Sequence, residues 1–146
     1  MNIVIALFAA FFLYSAALAE TYSVGNCTQA EAALKKLAPG DEVVFRDGEY
    51  RGCTLKLETA GEKDSPVILR AENAGKAVFL GNGAKGNAFR IEKMRFVKIG
   101  GFVCRGYQQN AIRIQDSSDV EVEDMTLEDN GMAAVRMLAA TRCAIR

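Results

Sequence analysis

Arg90, Arg113 and Arg136 stand 23 residues apart, each between apolar neighbours in FRI, IRI and VRM. On strands stacked at that interval they would form an outward column. A planar guanidinium fork suits bidentate binding of carboxylate or sulfate, groups that an acidic polysaccharide presents in series. Like charges one strand spacing apart, about 4.8 Å, repel, so the column predicts an anionic ligand or, alternatively, pairing with surface acids such as Glu92. A second candidate lies in Asp116–Asn130, a stretch with many acids and no basic residue. There Glu121 and Glu123 alternate with Val120 and Val122 and share one outward face. They are the candidate ligands of a hard cation such as calcium, against the alternative of a solvated acidic face.

Composition removes other chemistries. The 146 residues contain no His and no Trp. His-based general bases, His metal ligands and Ser-His-Asp triads are excluded, and sugar stacking is left to Tyr or Phe, with Tyr50 and Tyr107 as candidates. Lys+Arg and Asp+Glu number 18 each, giving a formal net charge of zero, which offers no general attraction to nucleic acid or anionic membranes.

The N-terminal 19 residues are uncharged, and Ala17-Leu18-Ala19 provides a small-x-small site before Glu20. Residues 1–19 read as a signal peptide and 20–146 as the exported domain, secreted or periplasmic, with no membrane attachment after cleavage. Export gives the four cysteines an oxidising compartment. Cys27 precedes a helical segment and Cys53 begins an early strand, so a bridge between them would tie the two together. Cys104 and Cys143 fall in different apolar columns two repeat units apart, beyond disulfide reach, and are expected as buried free thiols.

The elements that position these residues follow from an internal repeat. Asn87–Gln109 and Asn110–Met132 align without a gap, and Ala133–Arg146 begins the unit again. Apolar positions recur in register as Phe89/Ile112/Val135, Ile91/Ile114/Met137, Val97/Val120/Cys143 and Ile99/Val122/Ile145. Within a unit they lie two apart with polar residues between, the pattern of strands. Short strands at a fixed period make a solenoid. The fold class is therefore all-β: a right-handed single-stranded parallel β-helix of about 23 residues per coil. Thr28–Leu37 is expected as a short N-terminal capping helix, with Thr28 and Glu31 as a capping box. The repeat breaks off at Arg146 inside a third unit, which reads as a truncated solenoid.

Pro39-Gly40-Asp41, Asp47-Gly48-Glu49-Tyr50 and the stretch Pro66–Gly81 carry a resemblance. They resemble the opening of secreted right-handed β-helix proteins of polysaccharide lyase family 6, the chondroitinase B and alginate lyase group. The resemblance implies a uronate polysaccharide lyase acting by calcium-assisted β-elimination, with a Lys base and an assisting Arg. It assigns neither to a numbered position here, so the catalytic residues are unknown. A non-catalytic glycan-binding or adhesin-like β-helix is the alternative.

Overall fold

The computed structural model describes residues 18–146. The signal peptide expected at 1–19 lies almost wholly outside the described residues.

The chain opens with β1 (Thr21–Val24) and α1 (Cys27–Leu34). It then winds through β2 (Glu42–Phe45), β3 (Gly48–Arg51) and β4 (Leu55–Lys56). The next turn is β5 (Val67–Ala71), β6 (Ala77–Leu80) and β7 (Phe89–Glu92). A further turn comprises β8 (Arg95–Gly100), β9 (Phe102–Arg105) and β10 (Asn110–Gln115). The last strands are β11 (Ser118–Glu123), β12 (Thr126–Glu128), β13 (Ala133–Leu138) and β14 (Ala144–Ile145). Each turn gives one strand to each of three sheets. The first sheet runs β1-β2-β5-β8-β11-β14, the second β3-β6-β9-β12 and the third β4-β7-β10-β13. Strands pair in parallel within all three, with Phe89, Ile112 and Val135 in one row, Ile91, Ile114 and Met137 in another, and Val97 beside Val120. The chain is a parallel β-solenoid of about five turns and about 23 residues per turn.

Stacking like on like builds the core. Ile91, Ile112, Ile114, Val97 and Val120 are fully buried. Tyr50 stacks on Phe79 with ring centroids 4.9 Å apart, and Phe45 meets Phe102 edge-on at 5.1 Å. A polar ladder edges the third sheet: the backbone and side-chain N–H groups of Asn110 donate to Asn87 Oδ1 at 3.1 and 2.9 Å. Ala133 takes the next rung, and Asn110 Oδ1 is buried without a partner.

The corners repeat as faithfully as the core. Lys93, Asp116 and Ala139 have φ of 56°, 48° and 49°, and Phe96, Asp119 and Arg142 have 52°, 55° and 50°. Gly101 with Asp124, and Gly106 with Asp129, repeat the same left-handed turn. Asp accepts this conformation more readily than most side chains.

The N-terminal turn differs. β1 pairs with β2, while α1 buries Ala30, Ala33 and Leu34 over the open end of the core, shielding strand edges that would otherwise recruit other chains. The helix begins earlier and ends earlier than Thr28–Leu37. Asn26, not Thr28, is the N-cap, its side chain accepting from the Gln29 backbone N–H at 2.9 Å. Gln29 Oε1 in turn accepts from the Gly25 N–H at 2.8 Å. Buried Asp41 then fixes the entry to β2: its carboxylate accepts from the Glu20 and Ala38 backbone N–H groups, both at 2.8 Å.

Candidate functional site

The outer face of the third sheet carries the arginine column. Register places Lys56 beside Arg90, Arg90 beside Arg113, and Arg113 beside Arg136. The column thus holds four cations, and Lys56 extends the three arginines of the repeat. It escaped the sequence reading because the interval from Lys56 to Arg90 exceeds the 23-residue period, the intervening turn being longer. Glu92, in the neighbouring row, is the one acid paired with the column among the described residues. Its carboxylate accepts from Arg90 Nη2 at 2.9 Å and lies 3.8 Å from Arg113 Nε. Hydrogen bonding to Arg90, reinforced by the charges of Arg90, Arg113 and Lys56, holds the Glu92 carboxyl below its ordinary range. Arg113 Nε is buried and has no hydrogen-bond partner, although Arg113 Nη2 donates to Gln115. Lys56 and Arg136 form no ion pair among the described residues. Glu58 also borders Lys56 without an ion pair, so two carboxylates flank four cations, whose mutual repulsion amounts to roughly 1 kcal/mol per neighbouring pair in water.

The outer face of the first sheet carries mixed charge. One row runs Glu42, Ile68, Lys98, Glu121, and the next has Arg70, Gly100 and Glu123. Arg70 donates to Glu42. Glu121 and Glu123 share the face as expected, but Glu121 sits 3.7 Å from Lys98 Nζ, and no cluster of three or more ligating side chains exists among the described residues. A pair so placed, one member already facing a cation, does not fit an ion that takes about six to eight oxygens. Two cavities of about 390 and 380 Å³ meet at Lys98. Phe96, Pro66 and Lys63 line the second, and Arg142 closes its rim by donating to both Asp119 carboxylate oxygens at 2.7 and 2.8 Å.

The remaining expectations resolve by burial. Cys27 and Cys53 form a disulfide with Cα atoms 5.6 Å apart, joining α1 to the loop between β3 and β4 rather than to the start of a strand. Cys104 is a buried free thiol, but Cys143 is only half-buried, because the row next to it is exposed at Ile145. Tyr50 and Tyr107 are not sugar platforms. Both are buried, Tyr50 donating to the Arg46 carbonyl at 2.8 Å and Tyr107 to the Cys53 carbonyl at 2.7 Å, and desolvation raises both phenol pKa values. Phe96 is a half-buried aromatic that lines the second cavity; its 23-residue alignment with Asp119 and Arg142, outside every apolar column, is the signal in the sequence that sets it apart.

This geometry has counterparts. A polysaccharide lyase of the PL6 family from Pseudopedobacter saltans is 17% identical, with a TM-score of 0.58 over 70% of this chain and 23% of its own. A mannuronic acid specific family 6 lyase from human gut microbiota is 22% identical, with a TM-score of 0.56 over 73% of this chain and 26% of its own. An alginate lyase from Paenibacillus sp. is 16% identical, with a TM-score of 0.56 over 86% of this chain and 64% of its own. These likenesses establish the shared solenoid. The chain spans about a quarter of the length of the first two and under two thirds of the third. No curated protein sequence matches it. The sequence profile of the Chondroitinase B family matches residues 24–101, which hold the capping helix, the buried Asp41 turn and the strands from β2 to β8. The chain belongs to the Chondroitinase B family.

Proposed function

We propose that the chain is the N-terminal part of an exported lyase that cleaves uronate-containing polysaccharide by β-elimination, and that its third sheet holds the acidic polymer. Family membership supports the lyase, and the disulfide, together with the apolar residues 1–19, supports export. The observation that carries the binding role is the column Lys56–Arg90–Arg113–Arg136, four cations in register that outnumber the bordering carboxylates Glu92 and Glu58. Calcium, which the family resemblance implies, would neutralise the sugar carboxylate. Glu121, already facing Lys98, and Glu123 do not fit it.

The test is binding of alginate and chondroitin oligomers at low salt, alongside the absorbance of unsaturated uronate product. The wild-type chain should bind, with affinity falling as salt rises. The Arg113→Ala/Arg136→Ala variant should lose about tenfold or more. Unchanged affinity in that variant overturns the binding role. Binding by a full-length enzyme without unsaturated product would favour a non-catalytic glycan-binding β-helix instead.

A further inference from the structure

Phe96 is an outward-facing phenyl in an unfavourable conformation. It alternates with buried Val97 on β8 and does not belong to the hydrophobic core. Its φ is 52°, in the left-handed region where a bulky side chain is an outlier. The equivalent corners carry Asp119 and Arg142, so the turn itself does not call for an aromatic. The winding imposes the conformation, as it does at Asp119 and Arg142, and Gly61 packs closely against it here: its N–H donates to the Arg95 carbonyl at 2.9 Å, and a Cβ on it would lie 2.3 Å from the Phe96 carbonyl oxygen. Such strain persists where surrounding structure over-determines it, and it gathers at functional positions.

The phenyl borders the cavity of about 380 Å³ that it shares with Pro66, Lys63, Lys98, Asp64 and Glu121. An apolar platform with donors and acceptors on its rim is the usual construction of a small-molecule site. Here the rim charges offset each other. Lys98 faces Glu121, Arg142 clamps Asp119, and Lys63 and Asp64 remain, one of each sign. That balance matches a ring with alternating hydroxyl donors and acceptors better than it matches a polyanion.

We propose that this cavity is a pyranose-binding subsite, in which one sugar ring of a polysaccharide lays its C–H face on Phe96 and exchanges hydroxyl hydrogen bonds with Lys63, Lys98, Asp64 and Glu121. The ligand class rests on the polysaccharide reading above; the site and its mode of recognition do not depend on the cation column. Recognition here is through ring and hydroxyls, so it is insensitive to salt and to the sugar carboxylate.

The test uses the full chain with oligomannuronate and with the same oligomer after its carboxyl groups are reduced to alcohols. Wild-type protein should bind the reduced oligomer, with an affinity that raised salt leaves unchanged. Phe96→Asn, whose side chain tolerates the left-handed turn, should melt at the same or a higher temperature and lose about tenfold in affinity for the reduced oligomer. Phe96→Tyr should retain it. Arg113→Ala/Arg136→Ala should leave reduced-oligomer binding intact, which separates this site from the column. No binding of the reduced oligomer by wild type, unchanged affinity in Phe96→Asn, or a lowered melting temperature in that variant each overturns the proposal, the last because the phenyl would then be packing for the fold.

Discussion

At the residue scale, burial decides which groups are available for chemistry. Cys104 is 0% exposed, and desolvation drives its thiol pKa well up, so the nucleophilic thiolate is scarce there. Cys143 lies half-open beside β14. Labelling without reductant should therefore modify one thiol per native chain, Cys143, and two after denaturation. Two rapid reactions in the native state would contradict the burial of Cys104. The same rule explains what the sequence made legible at this scale. Arg90, Arg113 and Arg136 announced their outward row because apolar neighbours fixed the alternation. Tyr50 and Tyr107 did not announce their inward hydroxyl bonds, because the acceptors are carbonyls of Arg46 and Cys53 whose positions depend on the folded path. Phe96 stood in a strand-like run, and only its alignment with Asp119 and Arg142 set it apart.

At the element scale, the N-terminal cap is fastened rather than intrinsically stable. An eight-residue α1 is too short to persist alone in water, and three contacts hold it: the Asn26 cap, the burial of Ala30, Ala33 and Leu34, and the disulfide to Cys53. Replacing Cys27 and Cys53 by Ser should cost about 3 kcal/mol in the chain-entropy account of a loop this size. Urea unfolding at fixed pH measures it, and a change below about 0.5 kcal/mol would show that packing alone secures the helix. The helix itself was readable from its apolar face, but its start was not. Thr28 and Glu31 imitate a capping box, whereas Asn26 and Gln29 provide the bonds two residues earlier. Both pairs suit a cap, and the choice is made by where β1 delivers the chain.

At the scale of the whole molecule, each turn touches only its neighbours, so stability is close to a sum of adjacent-turn contacts. The rows Ile91/Ile114 and Val97/Val120 are covered on both sides, whereas Met137, Leu138 and Ile145 are 43%, 36% and 52% exposed. Backbone amides of β7 and β10 should exchange with solvent about tenfold or more slowly than those of β13 and β14; equal protection would mean that the turns unfold as one unit. The repeat from residue 87 onward was plain in the sequence because the core imposes one period on every row. The earlier turns were harder to register because Glu42 pairs with Ile68, and Ile68 with Lys98, at intervals lengthened by loops. The left-handed corners have a consequence for how such a surface can change. Lys, Asp and Ala occupy one corner row, and Phe, Asp and Arg another, with nearly identical φ. Shape at these points is thus uncoupled from side-chain identity. The corners act as fixed mounting points, so a single codon can exchange an aromatic for an acid or a base at a known location while the winding beneath stays the same.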